Sequence, residues 1–336
     1  MRPVLQPTVS FIVAAYEAED TIERCVRSVL DQTVPELEVI VVDDGSTDRT
    51  RQVVVDLAER ENDERLVLAP PSENRGPGEA RNHGLRLARG PWVGFLDADD
   101  VLRPEFLDRM FAAARAEPPA DVVASAHRLV QPDGTTRTRR QDTTETDLSG
   151  DEATARALEF GLTHYVWDKL FRRDVLGSAP FPVDIHRGED LPVVLQAFLA
   201  SDVVRVVDEA LVHYHLSPTS LTWGRVAPLA ESGRLARAVR ATVRPLLHRP
   251  RLRRGVEFAE SQIYLHAAHQ AIVRLPAAEA TDFCRETSQQ IPWSAVLRSL
   301  RSRPVDGVAH LVLKVAPAIY RRLYRTYVRA AYSLGV

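Results

Sequence analysis

Two clusters of acidic residues stand where short apolar runs end. Asp43-Asp44-Gly45-Ser46-Thr47-Asp48 follows the apolar run 37–42, and Asp97-Ala98-Asp99-Asp100 follows the run 92–96. Carboxylates that converge repel each other unless they share a cation, and oxygen ligands suit Mg²⁺ or Mn²⁺, which in turn suit a diphosphate. The clusters therefore predict a site for a divalent cation and a diphosphate. The alternative is that Asp and Gly only terminate strands and cap helices.

The elements that must position these carboxylates follow from an alternation of two periodicities. Apolar runs rich in strand formers cover four stretches, 9–15, 37–42, 66–68 and 92–96. Residues with helical spacing lie between them, and Asp20 and Thr47 are expected to cap the first two helices. This alternation predicts a Rossmann-like, mostly parallel sheet with helices on both faces. Ligands collect at the carboxyl ends of such strands, so both acidic clusters are expected on one edge.

Length, charge and cysteine content restrict the class of protein. The chain has 336 residues, and a single domain typically has roughly 150, so two parts are expected. The net charge of −3 divides into −14 for residues 1–230 and +11 for residues 231–336. Cys25 and Cys284 are the only cysteines, which is typical of a reducing cytoplasm rather than of a disulfide-bonded exported protein. No signal-peptide pattern and no apolar run of roughly 20 residues is present, so a cytoplasmic protein is expected.

The basic C-terminal part is predicted to be helical. From about residue 226 it is rich in Ala, Arg and Leu, with breaks near Pro245, Pro250, Pro276 and Pro292. Segment 317–332 places arginines on one helical side and apolar residues on another, which predicts contact with an anionic membrane surface. The alternative is a helix docked on the catalytic part with solvated arginines. Nucleic acid is not expected as a partner, because no nucleic-acid-binding motif accompanies the charge.

Seven motifs stand in a fixed order within residues 8–222. They are 9–16, 28–33, 41–48, 80–84, 95–100, 167–173 and 188–190. Together they resemble the motifs of the family 2 inverting glycosyltransferases. The resemblance implies the GT-A fold and a nucleotide-sugar donor. It also implies a catalytic domain at 1–224, with a nucleotide-sugar half at about 1–103 and an acceptor half at about 104–224, followed by a basic helical region at 225–336.

The resemblance assigns the donor site residue by residue. It implies that the Ala14 backbone and the Tyr16 ring border the base, where stacking on tyrosine is favourable. Asp44 matches the carboxylate that accepts a hydrogen bond from the base, and Glu17 stands where many relatives carry Asn. Arg81 is placed near the diphosphate, where a guanidinium suits phosphate oxygens; the alternative is an arginine on a helix surface.

The same resemblance assigns the metal and the general base. Asp97-Ala98-Asp99 matches the family's DXD motif, which implies that Asp99 binds the metal and that Asp97 contacts the ribose or metal-bound water. Glu189 and Asp190 match the general-base motif, with Asp190 as the group that takes the proton of the acceptor hydroxyl. The alternative for Asp190 is a helix N-cap, because an apolar stretch begins at the next residue.

One lysine is unusual in this arginine-rich chain. Lys169 and Lys314 are the only lysines, against 41 arginines, which suggests that a compact ammonium is preferred at Lys169. With Trp167 and Asp168 it is interpreted as lining the acceptor or sugar pocket; the alternative is an ion pair under a packed tryptophan. His215 is interpreted as a diphosphate contact or metal ligand, with a purely structural histidine as the alternative.

The resemblance thus implies an inverting hexosyltransferase that uses Mn²⁺ or Mg²⁺. It would move sugar from a nucleotide donor, commonly a uridine one, to a glycan, lipid-linked or small-molecule acceptor in cell-envelope polysaccharide or glycolipid synthesis. The enzyme would be cytoplasmic or peripheral on the inner face of the cell membrane. Two alternatives are kept. One is a haloacid-dehalogenase-like phosphatase with Asp97 as nucleophile, Lys169 as its partner and Glu189 and Asp190 on the metal. The other is a non-catalytic, membrane-associated glycan-assembly protein.

Overall fold

The protein is described here by a computed structural model. It covers residues 6–178, 180–216 and 226–332, except for the side chains of 329–332. The chain divides into two compact units, Met1–Ser217 and Pro218–Val336. The boundary that the sequence predicts at 224/225 falls within 217–225, outside the described residues.

The described part of the first unit contains one ten-stranded sheet. Its strands are β1 Val9–Ala15, β2 Leu37–Asp43, β3 Leu66–Leu68, β4 Trp92–Asp97, β5 Val101–Leu102, β6 Val122–Val130, β7 Thr136–Arg139, β8 Asp147–Leu148, β9 Lys169–Arg172 and β10 Val204–His215. The order is β3-β2-β1-β4-β9-β6-β10-β5, with β7 beside β6 and β8 beside β10. Strands β1 to β4, β6 and β10 share one direction, because β9 pairs antiparallel with both β4 and β6. The predicted mostly parallel α/β sheet is therefore confirmed.

Helices cover both faces of this sheet. In the first unit they are α1 Ile22–Leu30, α2 Thr50–Glu61, α3 Pro77–Leu87, α4 Phe106–Arg115, α5 Gly150–Leu158, α6 Arg173–Leu176 and α7 Asp190–Leu199. Successive residues of β2 alternate between faces, as the pleat requires. Val39 and Val41 pack in the core that contains α1, α2 and α4, whereas Ile40 and Val42 pack with Ala80 of α3.

The first two helices begin later than the sequence predicts. Helix α1 follows Thr21 rather than Asp20, and neither α1 nor α2 has a side-chain bond from its N-cap residue. Thr47 does not cap α2, because its Oγ1 donates to Glu17 Oε1 (2.9 Å). The Asp48 carboxylate instead accepts from the backbone N–H of Thr50 (2.9 Å) at the start of α2.

Strand register brings the two acidic clusters to one edge of the sheet. In the parallel pairings of β1, Ala15 lies opposite Asp43 of β2 and Ala14 lies opposite Asp97 of β4. The ends of β2 and β4 therefore flank the end of β1, and the expectation of a shared edge is confirmed. The site is built there.

The described part of the second unit is helical, as predicted. Its helices are α8 Leu229–Val243, α9 Pro250–Arg274, α10 Ala277–Gln290, α11 Trp293–Ser302, α12 Pro304–Val315 and α13 Pro317–Tyr332. Prolines stand at the helix starts, where the missing N–H group costs no helical hydrogen bond. Residues of α9, including Leu265 and Ile272, form a core with Cys284, Val296 and Leu313. None of the described helices is long and apolar enough to cross a bilayer.

Candidate active site

A cavity of about 370 Å³ lies beside the end of β2. Asp44 and residues of the segment 71–86, among them Ser72 and Arg75, line it. The Asp44 carboxylate accepts hydrogen bonds from the N–H groups of Arg75 (2.9 Å) and Gly76 (2.8 Å). Burial raises the pKa of Asp44, although these two N–H groups oppose that shift. Asp44 therefore fixes the loop that forms one wall of the cavity.

Sequence reasoning missed this loop. Ser72 Oγ donates to the carbonyl of Asp43 (3.1 Å), which ties the loop to the end of β2. Gly76 has φ +89°, and a Cβ atom there would lie 2.3 Å from His186 Nδ1. The signal in the sequence was Arg75-Gly76-Pro77-Gly78, because a glycine just before a proline-initiated helix often marks a close backbone approach.

Tyr16 presents an aromatic ring at the end of β1. It is 49% exposed, whereas the next residue, Glu17, adopts a left-handed conformation with φ 49°. The Glu17 carboxylate accepts from the N–H (2.8 Å) and Oγ1 (2.9 Å) of Thr47. Glu17 thus holds the turn after β2 against the end of β1. Ala14, half-buried, neighbours Asp97 in the register of β1 and β4.

Arg81 connects carboxylates that are far apart in the chain. Its Nη2 lies 2.8 Å from Asp97 Oδ1, and its Nη1 lies 2.6 Å from Glu189 Oε1 and 3.3 Å from Asp190 Oδ1. The side chain is only 7% exposed, and its guanidinium packs 5.5 Å from the centre of the Phe181 ring. The arginine predicted near the diphosphate, with a helix surface as alternative, is therefore buried between the DXD motif and the general-base motif.

Asp190 is the first residue of α7 and lies in this buried cluster. Its Oδ2 accepts from the N–H of Val166 (3.2 Å). Burial raises the pKa of Asp190 to about 7, and the positive charge of Arg81 limits the rise. The N-cap alternative finds no support in the geometry, because the cap position is Glu189 and no side-chain cap bond is formed there. A buried carboxyl with this pKa is suited to accept a proton near neutral pH.

The second acidic cluster carries more negative charge than its surroundings neutralise. Burial and the charge of Asp97 raise the pKa of Asp99 to about 6, and burial with both neighbouring carboxylates raises that of Asp100 well above its usual value. Asp100 Oδ1 accepts from the N–H of His215 (2.8 Å). Asp100 Oδ2 and His215 Nδ1 are buried without a hydrogen-bond partner among the described residues.

The carboxylates of Asp97 and Asp99 are chemically suited to bind a divalent cation. A cation shared by Asp97 and Asp99 would relieve the repulsion that raises the pKa of Asp99, and carboxylate oxygens are the ligands that Mg²⁺ and Mn²⁺ prefer. Among the described residues, however, no three His, Cys, Asp or Glu side chains are already gathered as a ligand set. Donor oxygens from a bound diphosphate or from water would have to complete the coordination.

Trp167, Asp168 and Lys169 lie inside the protein and do not line an open pocket. All three are at most 2% exposed. Lys169 Nζ donates to Asp168 Oδ1 (2.7 Å), to the carbonyl (2.8 Å) and Oγ1 (3.0 Å) of Thr163, and to the carbonyl of Tyr165 (2.8 Å). Burial acts to raise the pKa of Asp168, but the nearby Lys169 ammonium holds this pKa at about 2. This arrangement corresponds to the ion-pair alternative.

The buried ion pair holds a stack of aromatic rings. Trp167 stacks with Tyr165 (centroids 4.8 Å apart) and with Tyr214 (5.0 Å apart), and the two tyrosine rings are themselves 6.3 Å apart. Lys169 also fixes the carbonyl of Tyr165, and Val166 donates its N–H to Asp190. The buried residues 166–169 therefore position the candidate base and do not present their own side chains to solvent.

Comparisons with known proteins show similarity to glycosyltransferases. The sequence profile described as glycosyl transferase family 2 matches residues 10–177, half of the chain. EpsJ of Bacillus subtilis strain 168, an uncharacterized glycosyltransferase, is 34% identical over 221 residues, which cover 64% of this chain and 63% of EpsJ. The succinoglycan biosynthesis protein ExoO of Rhizobium meliloti strain 1021 is 46% identical over 110 residues, 33% of this chain and 30% of ExoO.

The fold is shared with a solved structure. The crystal structure of residues 1–349 of S. aureus TarS in complex with UDP-GlcNAc is 20% identical, with a TM-score of 0.67, and the match covers 97% of this chain and 93% of the TarS chain. The match with TarS thus covers nearly the whole of both chains. The matches with EpsJ and ExoO cover less than two thirds of those proteins.

Proposed function

The chain belongs to glycosyl transferase family 2, and we propose that it transfers a sugar from a UDP-sugar to an acceptor hydroxyl with inversion at the anomeric carbon. The observation that carries this proposal is the bridge made by Arg81. It joins Asp97, at the carboxyl end of β4, to Glu189 and Asp190, more than ninety residues later, at one edge of the sheet. This bridge brings the carboxylate proposed for the donor side and the proposed general base to one guanidinium.

The donor half would bind the nucleotide. The nucleobase would enter the cavity beside Asp44 and stack on the exposed ring of Tyr16. Arg75 at the cavity wall supplies positive charge. Asp97 and Asp99 would hold Mn²⁺ or Mg²⁺. When bound, the cation would offset the charge of the departing nucleoside diphosphate. His215 lies beside Asp100 and borders this cluster.

Asp190 would act as the general base in a single displacement. Its carboxylate accepts the proton of the acceptor hydroxyl while that oxygen attacks the anomeric carbon from the face opposite the leaving diphosphate. Arg81 is a positioning residue in this scheme, since its charge favours the ionised form of Asp190. Glu189 holds the same guanidinium at 2.6 Å and thereby fixes its place.

The acceptor is proposed to be a cell-envelope glycan or glycolipid, made on the cytoplasmic side of the membrane. The name of ExoO, a succinoglycan biosynthesis protein, supports a polysaccharide product. The phosphatase alternative is wrong, because the family match identifies a glycosyltransferase. The geometry agrees with this conclusion. The phosphatase alternative needs Lys169 as the charge partner of Asp97, but Lys169 makes its hydrogen bonds with Thr163, Tyr165 and Asp168.

A donor screen tests the proposal. The full chain is incubated with individual UDP-sugars and Mn²⁺ or Mg²⁺, and release of UDP is measured with and without oligosaccharide acceptors. We expect activity with one donor, and its loss in Asp99→Asn and Asp190→Asn. The matched control is Asp208→Asn, which removes an aspartate that is 66% exposed. Wild-type turnover in both active-site variants would show that the mechanism is wrong, as would a product with retained anomeric configuration by NMR. A chain that releases no UDP under any condition would favour the non-catalytic alternative.

A further inference from the structure

Three consecutive helices of the second unit expose large apolar side chains. Each of these residues is between 51% and 84% exposed, and together they are called the apolar face: Trp293 and Leu297 of α11, Val305, Val308 and Val315 of α12, and Ile319, Leu323 and Tyr327 of α13. Single exposed apolar residues are normal on a soluble protein, but eight on neighbouring helices mark an interaction surface.

Helix α12 shows that this exposure is organised. At 100° per residue, Val305, Val308 and Val315 fall on one side of the helix. The opposite side carries Gly307 and His310, both buried. Helix α12 therefore exposes apolar side chains to solvent on the side away from its core, a pattern that folding of this unit alone does not require.

Helix α13 packs within its own unit through Tyr320 and Tyr324 and exposes Ile319 and Leu323. Tyr320 donates or accepts a hydrogen bond with His269 Nε2 of α9 (2.7 Å), and the Tyr324 ring stacks on the His269 ring with centroids 3.8 Å apart. Ile319 and Leu323, one turn apart, remain on the exposed side. One side of this helix therefore packs within its own unit while Ile319 and Leu323 stay exposed.

The positive charge of the second unit indicates what kind of surface the apolar face binds. Residues 231–336 carry +11, and Arg301 and Arg322 are exposed on α11 and α13 themselves. Two copies meeting through this face would bring like charges together, whereas an anionic lipid surface is complementary to it. Tryptophan and tyrosine, here Trp293 and Tyr327, favour the headgroup level of a bilayer.

We propose that the apolar face of α11, α12 and α13 binds the surface of an anionic lipid bilayer. The valine and leucine side chains enter the boundary between headgroups and acyl chains, while the arginines contact lipid phosphates. Binding is at the surface, because no described helix can span the bilayer. This inference does not depend on the transferase chemistry.

Vesicle flotation of the full chain tests the inference. Wild type is mixed with vesicles of phosphatidylcholine alone or with added phosphatidylglycerol. We expect flotation only with phosphatidylglycerol, and weakening at high salt. The double variant Val308→Asp/Leu323→Asp should bind on the order of tenfold more weakly. Val183→Asp is the matched control, since Val183 and Val308 are both 52% exposed but Val183 lies in the first unit.

Several outcomes would overturn the inference. They are the absence of wild-type flotation with anionic vesicles, equal flotation of the double variant and wild type, and an equal loss in Val183→Asp. A wild-type dimer in analytical ultracentrifugation that the double variant converts to monomer would assign the face to a second copy instead. Thermal unfolding of each variant shows that it is folded. If the double variant does not fold, Arg301→Glu/Arg322→Glu replaces it, and unchanged flotation of that folded variant overturns the inference equally.

Discussion

Replacing Arg81 by glutamine should move the pH dependence of catalysis to higher pH. In the wild type, kcat/KM should rise as the pH increases through about 7, because Asp190 must be ionised to accept a proton and burial raises its pKa to about 7. The Arg81 guanidinium, whose Nη1 lies 3.3 Å from Asp190 Oδ1, limits this increase in the pKa. Without its charge the carboxylate is less stable, so the pKa of Asp190 increases further and the acid limb of the profile follows it.

The size of the shift can be bounded from the distance. Two unit charges 3.3 Å apart interact by about 1 kcal/mol in bulk water and about 5 kcal/mol at an effective dielectric constant of about 20. These energies correspond to about one and about four pH units. The lower value applies if water fills the space that the shorter side chain vacates. The variant also leaves three carboxylates without their shared cation, which should lower the free energy of unfolding by about 3–5 kcal/mol.

The assay is UDP release against pH for wild type, Arg81→Gln, Arg81→Lys and Arg60→Gln. Arg60→Gln is the matched control, because Arg60 is 50% exposed and its ion pair with Glu23 is at the surface. Arg81→Lys keeps the charge but cannot bridge three carboxylates, so its rate should fall with a smaller shift in pH. A fall in kcat for Arg81→Gln at an unchanged midpoint, while Arg60→Gln behaves as wild type, would refute the reasoning.

Three further predictions concern nucleotide binding and stability. Tyr16→Ala should weaken UDP binding by about 1–3 kcal/mol in calorimetry because a stacking ring is lost, while Tyr16→Phe should bind normally; equal affinity of Tyr16→Ala would place the base elsewhere. Lys169→Met should lower the free energy of unfolding in urea by about 3–5 kcal/mol because Asp168 stays buried and unpaired, and an unchanged midpoint would contradict the ion-pair interpretation. Gly76→Ala should reduce UDP affinity by about 1 kcal/mol through strain at φ +89°; an affinity equal to wild type would show that the loop does not shape the cavity.

The sequence predicts the elements that depend on local patterns. Continuous apolar runs rich in strand formers located β1, β2, β3 and β4, and the acidic residues after β2 and β4 reached one edge because parallel strands end together. Helix starts were less predictable, since Thr47 and Asp48 use their side chains in tertiary contacts with Glu17 and Glu19.

The contacts that organise the site depend on tertiary structure and left little trace in the sequence. Arg81 meets Glu189 across 108 positions of the chain, and no local pattern distinguishes it from an arginine on a helix surface. Lys169 was singled out by its rarity, but two of its four acceptors are backbone carbonyls, and carbonyls carry no sequence signal. The apolar face is spread over three helices, so no single helical wheel reveals its extent.

The sheet order has a consequence for dividing the protein. Strand β9, residues Lys169–Arg172, lies between β4 and β6, and β5 crosses to pair with β10. A fragment that ends at residue 103 would leave one side of β4 unpaired, and a fragment that begins at 104 would leave the β4-facing side of β9 unpaired. Unpaired edges of buried strands associate with other chains. The segments 1–103 and 104–224 therefore cannot be exchanged separately between enzymes, and chimaeras of this chain need a junction after β10.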